Sequence, residues 1–312
     1  MGAAGVLGSA LSEKFIGMGL EVRALDVCRI HEAWRLAGIN DSIEYLWKAS
    51  NDLSAEDLAG VDIVVDCAIG VADRPLGNTS PFYTTASNMQ PSLHVLETVR
   101  RLHTRKKPVM IYPSSFNALY GYPNESIYRR TMLPNPSSLY GWTKASVELL
   151  YLTYHRAYGV PCIISRVGSG YGPRMRSDEL PARLILCSLK GREMNLRSPK
   201  AKRLWTYVGD ILSFYESLVN DIEAHIGETL HCAGNKGDEI VTNLQLANLI
   251  GEVAGKPLKI RARGYEEGEL VDGKPIAFGV EGGNPLWSSK FTLREGMTKT
   301  YRWFQENLSR YA

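Results

Sequence analysis

Tyr140 and Lys144 stand one helical turn apart in the segment NPSSLYGWTKASVELL, residues 135–150. The apolar residues Ala145, Val147, Leu149 and Leu150 mark it as helical, so the phenol and the ammonium project from one face at neighbouring heights. A free tyrosine has a pKa of about 10, too high for a base at neutral pH, and a fixed cation beside it stabilises the phenolate and lowers that value. The pair therefore has the parts of a proton-transfer device. A tyrosine and a solvated lysine on a surface helix would show the same spacing, so its meaning depends on what the chain builds around it.

A second group has the spacing of a phosphate-binding turn. Gly2, Gly5 and Gly8 lie three apart and lead into Leu7, Leu11, Phe15 and Ile16, whose pattern predicts a helix. Glycine lets backbone amides approach a pyrophosphate where a Cβ would collide, and the helix N-terminus adds partial positive charge. The strand candidate EVRALDV then reaches Asp26, 18 residues after Gly8, close to the spacing of a carboxylate that binds an adenosine ribose. Such an acid accepts bonds from a free 2′-hydroxyl and repels a 2′-phosphate, which favours NAD over NADP; Arg29 nearby acts in the opposite sense.

The elements that must position these residues alternate strand and helix. Ile43 to Trp47 reads as a short strand, Asp52 and Leu53 precede a predicted helix, and Val61 to Cys67 reads as a buried parallel strand. A helix near Asn88 to Leu102 carries Leu93, Leu96 and Val99 at helical spacing, and KPVMIYPSS gives a strand ending in Ser114 and Ser115. The helix bearing Tyr140 runs to about Tyr158, and VPCIISR supplies the next strand. This is the pattern of a doubly wound parallel sheet, which binds ligands beyond the carboxyl ends of its strands.

From Gly168 the character changes. GSGYGPRM reads as turns, PARLILCSLKGRE as a helix, and RLWTYVGDILSFYESLV as a strand leading into a helix. Glu228 to Ala233 resembles another sheet strand, Asn243 to Ala254 an amphipathic helix, and a last helix passes through Met297, Tyr301 and Phe304, while 264–285 has no clear assignment. The expected organisation is an NAD-binding Rossmann-like domain over residues 1–167 and a smaller, mainly substrate-binding C-terminal lobe over 168–312, with segments near 203–233 returning to the main sheet.

Composition excludes other classes. A chain of 312 residues, 44% hydrophobic and 22% charged, is globular and long enough for one large domain with a smaller one appended. Its 36 basic and 33 acidic residues balance too closely for a nucleic-acid footprint, though local clusters remain open to a phosphorylated ligand. Five cysteines form no CxxC pair and three lie in strand-like apolar runs, which reads as reduced core thiols and no metal site. No apolar run approaches a membrane span and no secretory pattern opens the chain, so a cytoplasmic enzyme without a membrane partner is expected.

In a doubly wound sheet of order 3-2-1-4-5-6 the glycine turn follows the first, central strand, yet here Gly2 follows only Met1. The first strand is missing from its expected place. Either the chain begins at an internal methionine of a longer protein, which is the favoured expectation, or the neighbouring strands close up, gape or admit a substitute segment.

With the glycine turn, Asp26, a strand ending PSS, YGWTK, and then RVGSGYGP and RLWTYVGD in this order, the sequence resembles the extended short-chain dehydrogenase/reductase family, and within it the NAD-dependent nucleotide-sugar epimerase/dehydratase branch. The resemblance implies that Tyr140 is the catalytic acid/base and that Lys144 holds the nicotinamide ribose while lowering the tyrosine's pKa. It matches Gly2, Gly5, Val6, Leu7 and Gly8 to the pyrophosphate turn, Asp26 to the ribose acid, and Asp52 with Leu53 to the pair near adenine. Ala68 matches the strand end against the cofactor, and Asn88 a helix asparagine behind the active site. Asp52 and Asn88 would equally serve as helix caps. A homodimer is implied as well, joined through the helices around Leu93 to Leu102 and Val147 to Tyr154.

On the substrate side the resemblance places Ser169 where relatives usually carry an asparagine near the diphosphate, and Arg203 where a guanidinium clamps it. A solvated basic turn formed with Lys200 and Lys202 is the alternative for Arg203. The place of the usual catalytic Ser or Thr, counted back from Tyr120 and Gly121, falls on Phe116. Ser115 provides the hydroxyl if one residue is inserted, with Ser114 next; otherwise Tyr140 and Lys144 work alone or the site is inactive. Dehydratases and decarboxylases of the family carry an Asp or Glu just after that hydroxyl, where this chain has Asn117 and Ala118. The expected function is therefore epimerisation of a nucleotide sugar through a transient keto intermediate, with Asn117 on the substrate side. A net NAD-dependent sugar oxidoreductase and a catalytically impaired nucleotide-binding homologue are the alternatives.

Overall fold

The structure, a computed structural model, describes residues 1–70, 80–116, 119, 132–263 and 286–311. Its elements in chain order are α1 (Val6–Gly17), β1 (Arg23–Asp26), β2 (Glu44–Trp47), β3 (Ile63–Val65), α2 (Pro81–Arg100), β4 (Val109–Ser115), α3 (Leu139–Tyr158), β5 (Cys162–Val167), β6 (Ser169–Tyr171), α4 (Leu180–Lys190), β7 (Met194–Arg197), β8 (Lys202–Tyr207), α5 (Val208–Asn220), β9 (Thr229–Cys232), β10 (Ile240–Thr242), α6 (Asn243–Val253), β11 (Ile260–Arg263) and α7 (Leu293–Glu306). The fold is α/β: α2 connects the parallel pair β3–β4 and α3 the pair β4–β5, whereas β1 and β2 are joined through short 3-10 turns at Trp34–Leu36 and Asn40–Ser42.

The chain divides into two compact units. The first holds the described residues of Met1–Gly121 with Leu133–Val167 and Tyr215–His231; the second holds Met132, Gly168–Phe214 and the described residues from Cys232 onward. In the first, β3, β4, β5 and β9 form one sheet and β1 pairs with β2 in another, with Asp26 opposite Trp47. Val109 to Ser114 of β4 are all buried, as a strand covered on both faces must be. Val95, Leu96 and Val99 of α2 and Val147, Tyr151 and Tyr154 of α3 pack with Met110, Tyr112 and Ile164 into one core. Ser138 caps α3 by accepting the Gly141 amide at 3.1 Å, and Gly159 ends it at φ +66°, where a Cβ would be strained.

In the second unit β8 lies between β6 and β10, and β7 pairs with β11. Lys202–Tyr207 thus pairs with β6 and β10, while Thr229–Cys232 lies beside β5. Two sequence readings are corrected. Ser169–Tyr171, read as turns because of its glycines, is a strand: pairing with Trp205–Tyr207 overrides its local propensity. Behind Asp52 and Leu53 there is no α-helix but the single turns Ser50–Asp52 and Glu56–Leu58, because Gly60 at φ +71° ends the segment before a second turn can form. The unassigned 264–285 lies outside the described residues.

The glycine turn is reached without a full first strand. The Met1 amine donates to Val65 O at 2.9 Å, the Cys67 amide donates to Met1 O at 3.2 Å, and Ala3 N–H donates to Leu25 O at 3.2 Å. Met1–Ala3 thus bridge the ends of β1 and β3. The remaining lengths, Arg23–Leu25 and Ile63–Val65, line a cavity of about 670 Å³. Among the described residues no helix is long and apolar enough to cross a membrane.

Candidate active site

The glycine turn is a close-packed junction. A Cβ on Gly2, which sits at φ +68°, would lie 2.8 Å from Cys67 O and Ala68 N, and one on Gly8 would lie 2.1 Å from Gly2 O. Neither position tolerates a side chain without displacing backbone. The turn opens α1, whose first amides, at Val6, Leu7 and Gly8, have no carbonyl of their own helix to bond, which suits an anion.

Asp26 ends β1 and holds this turn: Oδ2 accepts the Ala4 amide at 2.9 Å and Oδ1 the Cys28 amide at 2.9 Å. The carboxylate is fixed at the turn's mouth with further lone pairs for a hydroxyl. The Arg29 guanidinium lies 4.6 Å from the ring centre of Trp47, stacked on the indole. Asp52 is exposed in its single turn, whereas Leu53 is buried in the core and its carbonyl lies 2.9 Å from His94 Nε2.

The carboxyl ends of β3 and β4 bring the next residues together. Ala68 touches the glycine turn through its backbone nitrogen, and Asn88 in α2 accepts the Gly70 amide at 3.1 Å and donates to Thr143 Oγ1 at 3.2 Å. Thr143 in turn donates to Tyr140 O at 2.8 Å. Asn88 thus braces the loop after β3 against the turn of α3 that carries Tyr140.

Lys144 is buried, and its Nζ donates to Pro113 O at 2.9 Å while lying 4.6 Å from the ring centre of Tyr112. Burial pushes its pKa down to about 8 against the pull of Asp66, Cys67 and Glu148. It stays mainly protonated at pH 7, one turn from Tyr140. Alternation along β4 puts Ser114 on the face of Tyr112 and Ser115 on that of Pro113. Ser114 Oγ is buried with no hydrogen-bond partner among the described residues, whereas Ser115 at the strand end is half-buried. Phe116 is fully buried with its ring edge-on to His231, centres 5.0 Å apart. Asn117 lies outside the described residues.

Ser169 and Arg203 belong to the second unit. Ser169 in β6 pairs with Trp205 in β8, so Arg203, two residues earlier, shares its face of the sheet. The Arg203 guanidinium stacks 5.4 Å from the Trp205 ring centre.

Sequence reasoning missed the supports beneath Tyr140. Lys144, Glu148 and Tyr151 follow it at helical spacing on one face of α3. Glu148 forms a buried pair with Arg166 of β5, Nη2 to Oε2 at 2.8 Å and Nε to Oε1 at 3.0 Å. Tyr151 donates to the buried Asp66 at 2.7 Å, and Ser92 donates to the same oxygen at 2.9 Å. The signal was present as a continuation of the Tyr140–Lys144 face, and as an acid closing the apolar run IVVD. Among the described residues no group of His, Cys, Asp or Glu could hold a metal ion.

A glycine turn opening a helix, an acid at the end of the following strand and a Tyr–Lys pair beside a parallel sheet define a Rossmann-type nucleotide-binding enzyme. The model of the NAD dependent epimerase/dehydratase family matches residues 1–233, and the chain belongs to that family. It is 24% identical to dTDP-glucose 4,6-dehydratase 1 of Escherichia coli K12, covering 98% of this chain and 92% of the relative. It is 27% identical to UDP-glucuronic acid decarboxylase 1 of Arabidopsis thaliana, covering 98% of this chain and 69% of the relative. Its fold matches that of UDP-glucuronic acid 4-epimerase from Bacillus cereus, crystallised with UDP-glucuronic acid and NAD, with a TM-score of 0.85, 21% identity and 98% of each chain covered.

Proposed function

We propose that the protein is an NAD-dependent epimerase of a nucleotide sugar. NAD suits the residues present: the turn admits a diphosphate where Gly2 and Gly8 exclude side chains, Asp26 suits a ribose diol, and Lys144 suits the nicotinamide ribose. Bound there, NAD supplies the hydride acceptor and returns the hydride. The protein's own part is proton handling. Tyr140 takes the proton of the sugar hydroxyl and gives it back when the configuration has changed, with Lys144 one helical turn further along α3. Ser115, with Ser114 as its neighbour, donates a hydrogen bond to the developing carbonyl; within the second unit Ser169 and Arg203 are of the type that binds a diphosphate.

The observation that carries epimerisation over dehydration is the residue set following the β4 serines. Phe116, Asn117 and Ala118 include no carboxylate to move a carbon-bound proton. Relatives named as dehydratases and decarboxylases support the substrate class, a sugar carried on a nucleotide. The test is incubation with NAD and a panel of UDP-, dTDP-, GDP- and CDP-sugars, with the sugar products identified by NMR. An epimer formed without accumulating NADH supports the proposal; a 4-keto-6-deoxy product or stoichiometric NADH overturns it.

One observation favours a second reading. Phe116 fills the usual place of the catalytic hydroxyl and is fully buried, which suits a homologue that binds NAD and nucleotide sugar without turnover. Tight binding of both with no product would support it.

The homodimer is part of the same proposal. Leu93 on α2 is 43% exposed, and Trp142 and Leu149 on α3 are 44% and 61% exposed. Leu96, Val99, Val147 and Tyr154 of the same helices are buried in the core, so contact with a second copy would rest on the exposed Leu93, Trp142 and Leu149.

A further inference from the structure

Among the described residues of the first unit, four Asp, Glu, Lys or Arg side chains are buried: Asp66, Lys144, Glu148 and Arg166. Glu148 and Arg166 neutralise each other in their direct pair. Asp66 and Lys144 are left, and neither makes a direct ion pair with a described residue. Asp66 meets donors alone: the Tyr151 and Ser92 hydroxyls at Oδ2 and the Ala68 amide, 3.3 Å from Oδ1. A carboxyl group ringed by donors is held as the carboxylate. Lys144 spends one donor on Pro113 O. A buried charge with nothing to balance it is costly, so these two opposite charges depend on each other.

Two stacked rings stand between them. Lys144 Nζ lies 4.6 Å from the ring centre of Tyr112, and Tyr151, whose hydroxyl holds Asp66, stacks on that ring with centres 4.9 Å apart. We infer that Asp66 is the counter-charge of Lys144, a positioning residue that acts across the Tyr112–Tyr151 pair and keeps the ammonium charged one helical turn from Tyr140. The inference rests on the proposed reading of Lys144 as the partner of Tyr140 and of a bound ribose. Separation suits that role. A carboxylate in contact would occupy the ammonium's donors, whereas one held behind the rings balances its charge through a medium of low dielectric and leaves two of the three donors for a ligand. The other groups that act on Lys144 do not replace Asp66. The Cys67 thiol is pushed by burial up to about 11 and is neutral at pH 7, and Glu148 is met by Arg166. Burial likewise raises the Tyr112 and Tyr151 phenols well above their usual range, so both stay uncharged.

The test titrates Lys144 in the ligand-free protein by carbon NMR of lysine labelled at its ε carbon, the resonance being the one absent from Lys144→Met. The parent midpoint is expected at about 8. Asp66→Asn keeps the side chain's shape and should lower that midpoint by at least about one unit, a tenfold fall in the ratio of protonated to free amine. Tyr151→Phe is the control, because it removes a hydrogen bond from Asp66 and keeps the charge; it should move the midpoint by less than about half a unit. A shift below about half a unit in Asp66→Asn, or equal shifts in the two variants, overturns the inference. Stability supplies a second measurement should Asp66→Asn fold poorly. At pH 7 that substitution should raise the unfolding constant at least about tenfold more in the parent than in Lys144→Met, where no ammonium is left to balance. An equal loss in both backgrounds, outright unfolding included, overturns it. Neither readout uses turnover, so NAD and sugar binding without product would sink the proposed function alone, and a Lys144 midpoint indifferent to Asp66 would sink this inference alone.

Discussion

The hydroxyl of Tyr151 donates to Asp66 Oδ2 at 2.7 Å, tying the middle of α3 to the carboxyl end of β3. The bond sits two turns behind Lys144 and fixes the height of the helix that presents Tyr140. Tyr151→Phe keeps the ring's stacking on Tyr112, centres 4.9 Å apart, and leaves Asp66 with Ser92. We expect a loss of about 1.5 to 3 kcal/mol in urea unfolding, the range for hydrogen bonds to charged groups. A change below about 0.5 kcal/mol would show that Asp66 is held without it.

Tyr140→Phe is expected to lower kcat by at least about a hundredfold, because it deletes the proton-transfer group. NAD affinity should stay near that of the parent in a calorimetric titration, whereas Lys144→Ala should weaken both turnover and binding. Near-normal turnover in Tyr140→Phe would remove this tyrosine from the chemistry.

The two serines of β4 separate by the same assay. Ser115→Ala is expected to lower kcat about tenfold to a hundredfold with little change in KM, as loss of a hydrogen bond made in the transition state should. If Ser114→Ala carries that loss instead, the unpartnered buried hydroxyl on the Tyr112 face is the donor.

Lys144 gives stability a pH dependence of definite sign. Its folded pKa is about 8, and an unfolded lysine titrates near 10.4. Between these values the unfolded state holds the proton and the folded state does not, so stability rises with pH across that window. Against Lys144→Met, which cannot titrate, the parent should gain up to roughly 3 kcal/mol from pH 7 to pH 10.5. Urea unfolding of both proteins at the two pH values measures it, and a constant difference would contradict the assignment.

In the proposed site Asp26 is the group that would set cofactor choice. With Arg29 stacked on Trp47, the carboxylate faces a 2′-phosphate unrelieved, so NAD should bind at least about tenfold more tightly than NADP. Asp26→Asn should narrow that ratio, and equal affinities in the parent would point to Arg29 as the deciding group.

The parallel αβ framework was legible because its strands are continuous apolar runs and its helices carry periodic apolar faces, as in VMIY before the β4 serines and Leu96 with Val99 on α2. The Tyr–Lys pair and the glycine turn were legible because their chemistry depends on spacing within one segment. Ser169–Tyr171 was not, since two glycines in that stretch signal a turn until Trp205–Tyr207 pairs with it. Nor were Asp66 and Arg166, whose partners Tyr151 and Glu148 lie 85 and 18 residues away. A contact across such a separation leaves no periodic trace in the chain.

The seam at Met1–Ala3 also bears on how the molecule comes apart. Backbone ladders bind β3, β4 and β5 along their lengths, whereas β1 and β2 are joined toward β3 by the Met1–Ala3 bridge at one end and by side chains, Arg23 on Asp57 O and Ala59 O and Lys48 on the Asp57 carboxylate, elsewhere. Cooperative units divide where such connections are fewest. The hairpin-sized module of α1, β1 and β2 should therefore detach and reclose as a block while the β4–β5 core stays closed. Since Asp26 and the glycine turn travel with that block, a cofactor bound as proposed, from the turn to Lys144, would act as a clasp between two semi-independent foldons.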